Sequence, residues 1–246
     1  MAAPVMRAQV PADVWLGHPS VAALPPAHLP GPGARVLVVV PHPDDETIGA
    51  GETLALLARR GARVSLVLIT DGEDAAPQAD DDARAALVAT RQAELASARA
   101  ALGLADATVH RLGLPDRRVE EHEDSLAALL CGLLDSSGAR GTVLLAPHPQ
   151  DGHRDHEAAG RAAATAAATC GCPLVTYAVW LWHRREPGEV DLTGAARVDL
   201  DQQARLAKAQ AVAAYGSQTG GAAPVVAPAL VELATAGVEV LWGAAS

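Results

Sequence analysis

The 246-residue chain has no phenylalanine and no asparagine, only two tyrosines and four tryptophans, and a single lysine, Lys208. Residues with AT-rich codons are nearly absent while alanine appears 55 times, a bias of a GC-rich genome rather than of chemistry, so alanine abundance says little about packing. Positive charge is scarce as well: the formal net charge is −10, which counts against the basic stripes of sequence-independent nucleic-acid binding. It also counts against electrostatic docking on an anionic membrane. The longest apolar runs, at 36–40 and 64–69, are strand-length and far short of the roughly 20 residues of a membrane span. The N-terminus lacks the basic-then-apolar layout of a secretory signal. Three cysteines, Cys131, Cys170 and Cys172, are too few for a disulfide framework and point to a reduced, cytoplasmic setting. Cys170-Gly171-Cys172 has the form of half a zinc site, but no second thiolate pair accompanies it.

Half of the residues are hydrophobic and a fifth are charged, the balance of a soluble globular chain. Residues 1–34 are rich in proline and glycine with no sustained period and read as an extended arm; 35–246 reads as a single domain. Its pattern alternates strand and helix: strands at 36–40, 64–70, 108–112, 142–146 and 174–182, with helices at 47–60, 83–102, 119–134, 158–169 and about 201–214. A last strand is expected near 238–242. Continuous β-branched runs suit strands buried on both faces. The alternation implies an α/β fold, a Rossmann-like, mostly parallel sheet flanked by helices. In such sheets ligands sit beyond the C-terminal strand ends, at the switch point.

Two clusters fall there. After the first strand comes Pro41-His42-Pro43-Asp44-Asp45-Glu46, and after the fourth comes His148-Pro149-Gln150-Asp151-Gly152-His153-Arg154-Asp155-His156. A bland reading makes Asp44 or Asp45 a helix cap, but one cap needs one carboxylate, not three and a histidine. Two histidines and a carboxylate form the small, borderline-soft donor set that suits Zn²⁺ and leaves a position open for water. His18, His28, His110 and His122 stand alone and read as ordinary surface or core residues. Arg91 falls on the apolar stripe of its helix, between Val88 and Leu95, so it pairs with an internal carboxylate or lines a polar pocket. Asp116 follows the third strand as a turn carboxylate or an acceptor for a sugar hydroxyl. Trp180, Trp182 and His183 close the fifth strand; the tryptophans read as core, and His183 as a pocket candidate.

These residues resemble the PIG-L (LmbE-like) zinc-dependent de-N-acetylases, which have a three-layer α/β sandwich. The resemblance spans about 35–220 and rests on PHPDDE and the later HRDH. It extends to Thr70-Asp71-Gly72-Glu73, Thr90-Arg91 with Glu94, Leu112-Gly113-Leu114-Pro115-Asp116 and Tyr215-Gly216-Ser217-Gln218. Family members commonly have alanine at the place of Pro41 and proline at that of Arg154. Carried over position by position, the resemblance implies one zinc per chain on His42, Asp45 and His156. It implies Asp44 as general base, His153 as a second polar catalyst oriented by Asp155, and Arg91 and Asp116 at the substrate. The implied substrate is a small N-acylated amino sugar of the N-acetylglucosaminyl type, with specificity in the loops 74–82 and 183–195.

Two rival classes remain in view. A nucleotide-binding oxidoreductase would use Gly49-Ala50-Gly51, but the third glycine position is Leu54 and the glycines begin too far past the strand. A non-catalytic, metal-stabilised carbohydrate-binding module would be expected to lack Asp44 or His153, and both are present.

Overall fold

The computed structural model describes residues 10–75, 80–199, 201–222 and 224–244. Residues 1–9, which carry part of the signal-peptide reading, lie outside that set. Seven strands form one sheet in the order β3-β2-β1-β4-β5-β7-β6. β1 (Arg35–Val40), β2 (Arg63–Leu68), β3 (Thr108–Arg111), β4 (Thr142–Pro147) and β5 (Leu174–Tyr177) run parallel. β6 (Ala195–Arg197) and β7 (Val240–Trp242) close one edge antiparallel. The expected α/β architecture is therefore present.

Side chains alternate across the sheet, as the strand period requires. Val36, Val38 and Val40 enter a core layer with Leu54 and Leu57 of α3 (Asp45–Arg59) and Leu95 of α4 (Asp81–Ala101). Leu37 and Val39 enter the opposite layer, with Leu126 and Leu130 of α5 (Glu123–Ser137) and the alanines of α6 (Arg154–Cys170). Ala158, Ala159, Ala162, Ala163, Ala166 and Ala167 are all buried, so the alanine excess does bear on packing here. Small side chains let α6 lie close to the sheet. At Gly160 a Cβ would come within 2.6 Å of the Pro147 carbonyl oxygen.

The arm is not simply extended. Its described part forms two single turns, α1 (Ala12–Trp15) and α2 (Pro19–Ala22), then bridges Pro26 to Arg197 of β6. Trp15 is buried against Leu181 and Leu233 in a third, smaller core cluster. The fifth strand also ends earlier than its sequence suggests. After Tyr177 the amides of Val179, Trp180 and Leu181 donate to the Asp151 carboxylate at 2.7–3.3 Å, which draws the chain out of the sheet into α7 (Leu181–Arg184). α8 (Gln202–Ala214) matches its expected span; α9 (Gly216–Thr219), α10 (Pro228–Thr235) and β6 are too short or too uniformly apolar to show a period.

α3 is broken in its middle. Ala50 has φ −140° and ψ 21°, outside the helical region. The break frees the amides of Glu52 and Thr53, which donate to the buried Glu239 carboxylate at 2.6 and 2.9 Å. Lys208 Nζ pairs with Glu239 at 2.7 Å, and both residues are almost fully buried. Gly49 and Gly51 serve this kink: a Cβ at Gly49 would strike the Tyr177 ring, and one at Gly51 would press on the Lys208 stem. The glycines answer to packing, not to a nucleotide. Glu52 is buried beside this pair, and burial followed by the Glu239 charge pushes its carboxyl up to about 7.

Removing Lys208 strands two carboxylates in the interior. Lys208→Met is expected to cost about 3–5 kcal/mol in urea unfolding near neutral pH. A carboxyl whose folded pKa lies above its unfolded value costs stability as pH rises, so the deficit should shrink toward about pH 5. A pH-independent deficit, or none, would contradict this reading of the cluster.

Candidate active site

β1 and β4 are hydrogen-bonded neighbours, with β2 on one flank and β5 on the other, so the loops that follow them face each other at the switch point. Asp45 Oδ2 sits at their meeting place. It accepts the His42 backbone amide at 2.8 Å and lies 3.0 Å from His42 Nδ1 and 3.1 Å from His156 Nε2. The two ring nitrogens are 3.3 Å apart. Neither aspartate caps α3: Asp44 occupies the N-cap position without a side-chain cap bond, and the bonded oxygen of Asp45 is turned back to His42.

Each imidazole is held from its far side. His42 Nε2 lies 3.1 Å from Asp116 Oδ1 and 3.2 Å from Asp155 Oδ2. His156 Nδ1 lies 2.8 Å from Asp151 Oδ2. Burial would lower the His156 pKa, but the Asp45 charge, followed by Asp151, outweighs it and raises the group to about 9. His42 is likewise raised: burial opposes its charge, and the bonds to Asp116, Asp155 and Asp45 overcome that. Asp45 is held well below the usual range, because the two imidazoles outweigh the burial that would raise it.

Asp44 stands apart from this triangle. Its backbone has φ 141° and ψ −27°, a conformation that non-glycine residues adopt at a cost of about 1–3 kcal/mol. Arg91 and Glu46 hold it there. Arg91 donates to the carbonyls of Pro43 and Gly72 at 2.7 and 3.1 Å, and its Nη2 lies 3.3 Å from Asp44 Oδ1. The Asp44 amide donates to Glu46 Oε2 at 3.3 Å, and Glu46 Oε1 in turn accepts from Tyr215 Oη and Thr47 Oγ1, each at 2.6 Å. Burial pushes the Asp44 carboxyl up to about 7, against the pull of Arg91.

Every residue expected at the site lies in this cluster, though some partners differ from expectation. His42, Asp44, Asp45, Arg91, Asp116 and His153 all line one pocket. Asp155 does not reach His153. It accepts from the amides of Arg117 and Val119 and contacts His42, while His153 Nδ1 is buried with no partner among the described residues. His153 instead stacks near Trp180, whose ring also meets the Arg184 guanidinium and the His183 ring. Burial, then His156 and His42, push the His153 pKa down to about 3. Arg91 meets both descriptions that its place on the helix allows: it pairs with Asp44 and it lines the pocket. Asp116 is anchored by the Asp74 amide at 3.0 Å while its own amide donates to Glu73 at 2.9 Å, and burial notwithstanding, the His42 bond leaves its carboxyl at about 2.

Trp180 lines the pocket; His183 does not, and among the described residues no other part of the loop 183–195 does either. Of the loop 74–82, Ala75 lines the pocket and residues 76–79 lie outside the described set. Sequence reasoning gave no role to Asp151 or Tyr215. Asp151 sits within the second cluster, and its full burial marks it as more than a loop carboxylate.

A tetrahedral ion with bonds of about 2.0–2.1 Å sets its ligand atoms about 3.3 Å apart. The Nδ1, Oδ2 and Nε2 triangle, with edges of 3.0, 3.1 and 3.3 Å, fits a divalent metal. Donor atoms of His42, His153 and His156, and of His42, Asp116 and Asp155, also lie within 4.8 Å of one another, so His42 stands between two candidate groupings.

Comparison with known proteins identifies the family. The sequence profile described as "PIG-L: GlcNAc-PI de-N-acetylase" matches residues 37–167. A Streptomyces avermitilis protein named 1D-myo-inositol 2-acetamido-2-deoxy-alpha-D-glucopyranoside deacetylase is 33% identical over 217 residues, covering 74% of this chain and 71% of its own. The chain belongs to the PIG-L de-N-acetylase family. A second relative, from Bacillus cereus, bears the name "Probable N-acetyl-alpha-D-glucosaminyl L-malate deacetylase 2" and is 31% identical over 193 residues, 75% of this chain and 84% of its own. The zinc-inhibited crystal form of teicoplanin deacetylase Orf2 shares the PIG-L fold, with a TM-score of 0.64 at 19% identity over 85% of this chain and 97% of its own. No helix among the described residues is long and apolar enough to cross a membrane.

The raised pKa values of His42 and His156 mean that an ion binding these imidazoles must displace protons. Titrating a divalent metal at about pH 7 should release about one proton or more, read as a buffer-dependent heat, and affinity should fall as pH drops. Binding without proton release would show that the ion avoids the imidazoles.

Proposed function

We propose that this chain is a zinc-dependent hydrolase that removes the acetyl group from a small N-acetylglucosaminyl compound. The observation that carries this reading is a three-donor triangle, two of whose residues, His42 and Asp45, line one pocket with a separate, strained Asp44. The two named relatives support the sugar: both act, by name, on an acetylated glucosaminyl group, and their remaining parts differ as inositol differs from malate. A cytoplasmic setting belongs to the same proposal, and the three free cysteines support it.

In this proposal His42 Nδ1, Asp45 Oδ2 and His156 Nε2 hold the zinc, with Asp151 and the Asp116–Asp155 pair fixing the two rings from behind. Bound zinc supplies a Lewis acid that makes water nucleophilic near neutral pH and polarises the amide carbonyl. Asp44 takes the proton of the attacking water and returns it to the departing nitrogen, a transfer that amide cleavage requires because an amine anion is a poor leaving group. Its strained backbone aims the carboxylate into the pocket, and Arg91 keeps it there. His153 faces the carbonyl oxygen and shares its developing charge. Asp155 acts through His42, and Asp116 combines that anchoring with a place on the pocket wall.

Adjacent aspartates separate the roles. Asp45→Asn should lose or weaken zinc, since an amide oxygen is a poorer ligand than a carboxylate. Asp44→Asn should keep zinc and lose turnover by at least about 10²–10⁴-fold, the usual worth of general acid–base catalysis. Zinc content and deacetylation of N-acetylglucosaminyl conjugates, measured side by side, check both. Full zinc with no turnover on any conjugate in the unmodified protein would favour a binding module, and the reverse pattern between the two variants would exchange their roles.

A further inference from the structure

The segment Tyr215-Gly216-Ser217-Gln218 takes no role at the site from sequence beyond its part in the resemblance, and its last side chain lines the catalytic pocket. Gln218 is 1% exposed. Its Nε2 donates to Ser217 Oγ at 2.8 Å, while its Oε1 is buried with no hydrogen-bond partner among the described residues. The orientation of that amide is dictated by a chemical relay. Glu94 on α4 is a carboxylate, able only to accept, and it takes the Ser217 amide at 2.7 Å and the Ser217 hydroxyl at 2.6 Å. With its one proton committed to Glu94, Ser217 Oγ can only accept from Gln218, so the –NH₂ end must face the serine and the carbonyl end is left over. The backbone is pinned as well, since the Val226 amide donates to the Gln218 carbonyl oxygen at 3.0 Å. A flip would place two acceptors against each other at Ser217, so the free end stays an acceptor.

We infer that Gln218 is a specificity-determining residue whose Oε1 accepts a hydrogen bond from a hydroxyl or N–H donor of the substrate. This rests on the amide-hydrolase reading above. Buried acceptors are nearly always paired, and although Arg91, Arg117 and His153 line the same pocket, none of them bonds this one. A substrate that brings the donor completes the set; one that lacks it leaves the acceptor without that partner. Discrimination against a missing hydroxyl is stronger in such sites than discrimination against a missing methylene.

The test is a cycle of enzyme and substrate changes on the zinc-loaded protein. Gln218→Leu removes the acceptor at similar volume, and it is assayed on an N-acetylglucosaminide and on analogues that each lack one hydroxyl or carry an N-methylated acetamide. The variant should retain zinc and lose about ten- to hundredfold in kcat/KM on the full substrate. One analogue should show a comparable loss with the unmodified enzyme and no additional loss with the variant, which is the signature of a direct contact rather than of altered packing. Ser217→Ala, which frees the amide to rotate while keeping Oε1, should give a smaller loss centred on that same analogue. An unchanged kcat/KM, or an equal loss on every analogue for both variants, would overturn the inference and leave the hydrolase reading intact. If the unmodified enzyme cleaves no member of the set, the hydrolase reading itself fails and this one falls with it.

Discussion

One carboxylate oxygen, Asp45 Oδ2, joins the two halves of the fold. It takes the backbone amide and Nδ1 of His42 from the β1 loop and Nε2 of His156 from α6. Three basic or donor groups on one buried oxygen make a strong contact, because burial in a low-dielectric interior magnifies each attraction and each omission. Around it lie five further buried carboxylates, Asp44, Glu46, Asp116, Asp151 and Asp155, and each has its own donors. So dense a set of acids is tolerable only when every one is answered by an imidazole, a guanidinium or backbone amides. Much of the surrounding loop conformation follows from supplying those answers.

The supports reach far from the site. Asp151 bends the chain after β5 so that three successive amides point at it, and the same bend brings Trp180 to the pocket. Glu239 caps the second half of the broken α3, which sets the first half, with Asp45 and Glu46, at its own angle. Tyr215 and Arg91 then hold the Asp44 turn from either side, through Glu46 and through the Pro43 carbonyl. A kinked helix, a bent strand exit and a strained turn are each costly locally, and together they place donors within a few tenths of an ångström of a tetrahedral edge.

The strand and helix order, the parallel sheet and the position of both acidic-histidine clusters were legible in the sequence. Buried strands announce themselves as β-branched runs, and clusters at strand ends announce themselves by composition. The role of Asp155 was not legible: sequence distance puts it beside His153, whereas its carboxylate points to His42 and the amides of Arg117 and Val119. Nor were the Asp151 and Glu239 contacts, because a carboxylate that caps backbone amides 28 or 187 residues away leaves no period to read. Gly49-Ala50-Gly51 illustrates the limit most clearly. Its glycines resemble half of a dinucleotide fingerprint, and their cause is a helix break pressed against Tyr177 and Lys208.

His42 sits between two groupings of donors, with Nδ1 toward Asp45 and His156 and Nε2 toward Asp116 and Asp155. The proposed catalysis depends on which side a bound metal takes. The anomalous scattering of a zinc-loaded crystal locates the ion directly. The account predicts a single strong peak about 2.0–2.2 Å from His42 Nδ1, Asp45 Oδ2 and His156 Nε2, with one further position open to the pocket. A peak on the Nε2 side, bonded to Asp116 and Asp155, would contradict it.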